Sequence, residues 1–168
     1  LLRGFPLDYI KLIVQHIRAA LKRMNLSNDQ IQILCHQGLI FLSIQVLISI
    51  SRSIVLGKID KKKGITVVGF GESASDVGLF LESINYAFLK KLPILFICEN
   101  NNLSVLSPQK NRQSGYSISL KAKSFGVKST QVYGNNPLQV YNKIKNGISY
   151  IKSNQKPFLI ESFTFRTI

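Results

Sequence analysis

From Gly64 onward the apolar residues of this chain come in short dense blocks separated by longer amphipathic stretches. "GITVVGF" (64–70), "PILFICEN" (93–100), "VKSTQVYG" (127–134) and "KPFLIESFTF" (156–165) have the length and β-branched or aromatic content of strands. Between them the spacing turns helical. Asp76 to Lys91 predicts a helix with Leu79, Phe80, Ser83, Ala87 and Leu89 turned largely inward, stopped by Pro93. Ser119 to Phe125 predicts a short helix ending at Gly126, and Pro137 starts a helix that runs to about Ser153. Strands alternating with helices predict an α/β fold: a parallel sheet with helices on both faces. Ligands of such sheets sit beyond the carboxyl ends of the strands.

The N-terminal part follows a different pattern. Asp8 to Asn25 carries Ile10, Ile13, Val14, Ile17, Leu21 and Met24 at helical spacing with a basic outer face. His16 falls off that stripe and reads as a solvated side chain. Ser27, Asn28 and Asp29 offer caps for a second helix in the uncharged segment that follows. From Gln30 to Ser51 no residue is charged, but glutamines and His36 interrupt the first half. A spanning helix needs about 20 mostly apolar residues. The reading is therefore a buried core helix, with a membrane span as the alternative. Two units are expected: an N-terminal helical segment, 1–30, and a sheet domain, 31–168.

Composition narrows the function classes. The 168 residues are 45% hydrophobic and only 18% charged, which argues against a disordered, charge-dominated segment. The formal net charge is +14, but the basic residues are scattered, and Lys61-Lys62-Lys63 is a solvated run without interleaved aromatics. That distribution argues against nucleic-acid binding. It suits a phosphorylated small molecule or an acidic partner subunit. Cys35 and Cys98 lie far apart in apolar surroundings, and the histidines are His16 and His36, so no disulfide framework or zinc site is expected. A reducing compartment is the default, and the absence of an initiating methionine suggests a fragment.

"VVGFGESASDVG" (67–78) holds the candidate chemistry. Gly69, Gly71 and Ala74 spell a dinucleotide turn, which also needs a helix directly behind the glycines and an acid ending the next strand. Here the helix starts near Asp76, and Glu99 lies roughly 30 residues beyond Gly69 where about 20 are expected. Three asparagines, Asn100 to Asn102, follow Glu99. Neighbouring parallel strands lie about 5 Å apart. Glu72 at one strand end and Asn101 at the next are thus of the type and placement to share a hard divalent cation. Other readings of the same residues stay open. Glu72 suits a helix-proximal acid facing backbone amides, and the asparagines suit a turn bonding its own backbone.

Gly71 to Gln109, "GESASDVGLFLESINYAFLKKLPILFICENNNLSVLSPQ", with Arg112-Gln113 beyond it, resembles the alpha subunit of thiamine-diphosphate-dependent 2-oxo acid dehydrogenases. Gly71-Glu72-Ser73 falls on that family's G-D-G, and Asn100-Asn101 on its N-N with matching spacing. The likeness extends from Ile65 to Arg166. It implies a thiamine-diphosphate-binding fold, with magnesium held by Glu72, Asn101 and the carbonyl of Leu103, and the diphosphate lined by Gly71, Ser73 and Ala74. It implies oxidative decarboxylation of a 2-oxo acid, a beta subunit completing the site, a lipoyl-bearing acyltransferase as acceptor, and a cytoplasmic or organelle-matrix setting. No catalytic side chain is expected within these residues. The chain departs from the family at three positions: Glu72 stands for an aspartate, Ser73 for a glycine and Val77 for a glutamate. Ser73 would cost about 1 kcal/mol or more if its φ were positive. A subunit that has drifted out of catalysis and an NAD-binding domain are the rival readings.

Overall fold

The computed structural model describes residues 31–35, 64–104, 107–115 and 117–165. Five parallel strands form one sheet: β1 (Ile31–Cys35), β2 (Ile65–Gly71), β3 (Ile94–Asn100), β6 (Lys128–Tyr133) and β7 (Phe158–Phe163). Their spatial order is β1-β2-β3-β7-β6. Two short strands, β4 (Leu103–Ser104) and β5 (Ser107–Pro108), form a separate antiparallel hairpin. The helices are α1 (Gly78–Leu89), α2 (Ile118–Ser124) and α3 (Pro137–Asn154).

Strand alternation sorts the core into two faces. Val68, Phe70, Ile94, Phe96, Cys98 and Leu159 pack against Phe80, Ile84 and Ala87 of α1 and Ile118 and Ala122 of α2. Ile65, Val67, Leu95, Ile97, Phe158 and Ile160 pack against Ile144, Ile148 and Ile151 of α3. Gly147 lets α3 approach the sheet closely, since a Cβ there would lie 3.0 Å from Phe158 and 3.1 Å from Leu95. Cys98 is a buried free thiol, as its apolar strand predicts.

The four predicted strands and three predicted helices are present, with ends displaced by one or two residues. Two expectations are overturned. Ile31–Cys35 opens the segment expected to be a second helix, yet it is an extended strand paired residue for residue with Ile65–Gly69 of β2. Pairing with β2 satisfies the backbone groups of this segment, and this overrides the capping signal at 27–29. A single helix over 30–51 is therefore excluded at its start; 36–51 lies outside the described residues, as does the helix expected over 8–25. Among the described residues no helix is long and apolar enough to cross a membrane. Leu89, expected inward, is 66% exposed, because Lys90 and Lys91 turn the chain away at the end of α1 and Ile84 supplies the inward contact instead.

One buried acid ties the fold together. Glu161 of β7 is fully buried, and its Oε1 accepts from Asn100 Nδ2 (2.9 Å) and Ile118 N (3.2 Å). Its Oε2 accepts from Ser119 N (3.0 Å) and Gln131 Nε2 (3.0 Å). The carboxylate thus fastens the N-terminus of α2 to the sheet and fixes the side chain at the tip of β3. Glu161→Ala would remove the shared acceptor of five donors, these four and Ser117 Oγ (3.3 Å), and should destabilise the domain by about 3 kcal/mol or more, read as a lowered urea midpoint with an unchanged slope. A loss below about 1 kcal/mol would show that the network is dispensable.

Candidate functional site

β2 and β3 are hydrogen-bonded neighbours with Gly71 opposite Glu99, so both chains leave the sheet at the same edge. Behind β2 the backbone enters a 3-10 turn, Glu72–Asp76, before α1 begins at Gly78. Behind β3 it makes a long excursion through the β4–β5 hairpin and a second 3-10 turn, Gln109–Asn111, before α2. The excursion folds back over the first turn and delivers Arg112 and Gln113 to it.

Glu72 is 3% exposed, and its Oε1 lies 2.6 Å from Arg112 Nη2. Arg112 Nη1 pairs with Asp76 Oδ2, and Arg112 Nε donates to the Ser107 carbonyl at 3.3 Å. Burial pushes the Glu72 carboxyl above its ordinary range, and the guanidinium and the backbone amides of Glu72 and Ser73 offset part of that shift. Gln113 Nε2 donates to Ser75 Oγ (3.0 Å) and to Asp76 Oδ1, while Ser75 Oγ donates to the Glu72 carbonyl (2.7 Å). A relay of amides continues inward. Gln109 Nε2 donates to Gln113 Oε1 (2.9 Å), and Asn100 Nδ2 to Gln109 Oε1 (3.2 Å), reaching Glu161.

At the tip of β3 the asparagines hold their own turn. Asn100 Oδ1 accepts from Asn102 N and Asn101 Oδ1 from Leu103 N, both at 2.9 Å, with Asn102 in the left-handed region at φ 61°. Gln109 N donates to the Asn102 carbonyl at 2.8 Å, so Leu103 and its register partner Pro108 form the non-hydrogen-bonded pair of the hairpin. The Leu103 carbonyl therefore takes no part in the hairpin ladder. It faces the side on which Leu103 N meets Asn101 Oδ1.

The sequence pattern of the family described as "Dehydrogenase E1 component" matches residues 14–168. The chain belongs to that family. The 2-oxoisovalerate dehydrogenase subunit alpha of Bacillus subtilis (strain 168) is 36% identical over 110 residues, covering 66% of this chain and 33% of its own length. The mitochondrial 2-oxoisovalerate dehydrogenase subunit alpha of Mus musculus is 33% identical over 102 residues, covering 61% of this chain and 23% of its own. This chain thus spans a third or less of the length of these relatives. Among solved structures, transketolase from Leishmania mexicana superposes with a TM-score of 0.58 at 14% identity, over 73% of this chain and 19% of that one. A Mycobacterium smegmatis protein described as a thiamin diphosphate-dependent enzyme does so with a TM-score of 0.57 at 17% identity, over 72% and 22%. The α/β fold of this E1-family chain is the one those enzymes share.

The expected site residues of this E1-family chain fall into two sets, those expected at a metal and those expected at a diphosphate. Glu72 stands at the tip of β2, and Asn101 and Leu103 follow the tip of the adjacent β3, but both side chains already have partners within the protein. The backbone-facing roles open to them on residue type alone are therefore filled: Glu72 is drawn toward its own amides, and Asn101 closes a turn. Each oxygen retains a second lone pair, so neither contact consumes the acceptor. A Cβ on Gly71 would meet nothing within 4 Å, leaving open space above that residue. Ser73 is not among the positive-φ residues, so its side chain carries no conformational penalty. The Ala74 methyl lies in the core between the sheet, α1 and α2. The dinucleotide spelling finds no helix N-terminus behind it, only the 3-10 turn.

Sequence reasoning missed Arg112, Gln113 and Asp76 as site members. Each is polar and unremarkable in its own segment, and only the fold-back of the excursion brings them to Glu72. The one visible signal is that Arg112-Gln113 extends the family resemblance in a loop without acids.

Glu99 adds a pH dependence. Its carboxyl lies on the Ile97 side of β3, beside Gly71 and Ser162, and burial alone pushes it up from 4.5 to about 7. A raised carboxyl contributes stability below pH 4.5, and that contribution is lost as the pH rises through about 7. Thermal melts should show Glu99→Gln more stable than the parent at pH 8 and equal to it at pH 4.5. A constant offset across that range would place Glu99 in water.

Proposed function

We propose that this chain is the thiamine-diphosphate- and magnesium-binding part of a 2-oxo acid dehydrogenase alpha subunit. The reading rests above all on one juxtaposition: a carboxylate and an amide oxygen at the tips of two hydrogen-bonded strands, within an E1-family sequence. The donors fit a hard cation. Glu72, Asn101 Oδ1 and the Leu103 carbonyl are all oxygen ligands, as magnesium requires, and the ion takes its remaining positions from water and phosphate oxygens. The Gly71 backbone, under open space, and the backbone of Ser73 and Ala74 would face the diphosphate.

Thiamine diphosphate, when bound, supplies the carbon nucleophile at which a 2-oxo acid loses carbon dioxide. The residues of this chain hold and orient. The Asn100–Glu161 bond fixes the tip of β3, the Asn101 turn presents two oxygens on one side, and the buried 3-10 turn keeps water away from Glu72. No side chain described here is assigned a proton-transfer role. A beta subunit would complete the site, and a lipoyl-bearing acyltransferase would take the acyl group. The names of the relatives make 2-oxoisovalerate the first substrate to test. The cytoplasm or an organelle matrix is the corresponding setting.

A second reading, a subunit that has lost catalysis, draws support from the ion pair that already neutralises Glu72. Calorimetric titration separates the two. With its beta partner, the protein should bind thiamine diphosphate only when magnesium is present, and Asn101→Ala should weaken that binding about tenfold or more. NADH should produce no heat and no shift in melting temperature. Absence of thiamine diphosphate binding in the assembled pair would favour the non-catalytic reading.

A further inference from the structure

Glu72 sits 3% exposed at the strand edge, where a bare carboxylate is costly, and the structure balances it with the Arg112 guanidinium. Arg112 is not a passing surface partner. Its side chain is only 16% exposed, and it grips Glu72 and Asp76 with different nitrogens. Its Nε is held by the Ser107 carbonyl at 3.3 Å, which ties the guanidinium to the hairpin that also carries Leu103. The neighbouring Gln113 clamps the same turn through Ser75 and Asp76. The contact therefore joins the two strand tips between which the divalent ion of the proposed function would sit. A guanidinium at 2.6 Å and a divalent cation cannot both face the one buried Glu72 carboxylate without strong mutual repulsion.

We infer that Arg112 is a displaceable counter-ion: it occupies Glu72 when no metal is bound and must move off that carboxylate for the metal to load. This inference rests on the assignment of Glu72 as a metal ligand and adds an exchange of cations at it. Arg112 then keeps Asp76 as a partner, so release from Glu72 does not leave the guanidinium unpaired. Arg112 acts through Glu72 and is thus a positioning residue.

The test uses the protein at its natural length, with Mn²⁺ alone as the probe, followed by electron paramagnetic resonance. Arg112→Gln removes the competing charge and should tighten Mn²⁺ binding about tenfold, within the usual range of coupling between linked sites. It should also lower the melting temperature of the metal-free protein, and Mn²⁺ should restore more of it than in the parent. Arg112→Lys, which keeps the charge, should bind Mn²⁺ close to the parent. A measurement on the parent protein guards against misfolding of the variants: Mn²⁺ should increase modification of Arg112 by phenylglyoxal, read by mass spectrometry. If the parent binds Mn²⁺ and neither the Gln variant nor the modification responds, the exchange is wrong while the metal site stands. If no form binds Mn²⁺, the metal assignment fails and the inference with it.

Discussion

The parallel pairing of β2 with β3 is the constraint on which the rest of the molecule depends. Parallel neighbours run in step, so Gly71 and Glu99 finish opposite one another and everything that follows them emerges at one edge. An antiparallel pair would have sent the Glu72 turn and the asparagine loop to opposite ends of the sheet. The crossover that parallel pairing demands is α1, and the apolar side of that helix covers the same face from which the Glu72 turn departs. Packing and site geometry therefore share one cause.

Polar groups at such an edge are expensive unless satisfied, and this chain satisfies them in series. Glu161 anchors Asn100; Asn100 reaches Gln109; Gln109 holds Gln113; and Gln113 closes on the turn that carries Glu72. Four polar residues from three segments thus run from the middle of the sheet to the candidate ligand. Buried networks of this kind gain from being complete and lose heavily when broken. The Asn101 turn is set by the same series, since Asn100 fixes the strand end from which it springs. Glu99, on the other side of the same strand end, has no such partner among the described residues, and burial shifts its carboxyl accordingly.

Much of this was legible in the residues. Short apolar blocks such as "PILFICEN" could only be buried strands, and the periodic stretch around Phe80, Ser83 and Ala87 could only be a covering helix. The spacing between Gly71-Glu72 and Asn100-Asn101 pointed to one edge because a strand–helix–strand unit has a nearly fixed length. Other features were hidden for physical reasons. The first strand, Ile31–Cys35, carries a local pattern as compatible with helix as with strand, and its pairing with β2 decided the matter. Leu89 had the right period for burial, but the helix ended beside it.

The sequence by itself determined the class of fold and the residue types placed at the strand ends, because periodicity and spacing are local and survive without coordinates, and the likeness of its motifs carried the family. Only the tertiary structure decided what those residue types face. That Glu72 meets Arg112, forty residues further along, and that Glu161 fastens both α2 and the tip of β3, follow from a loop folding back across the sheet edge. Contacts between distant segments depend on the closure of the whole chain, and no window of neighbouring residues contains them.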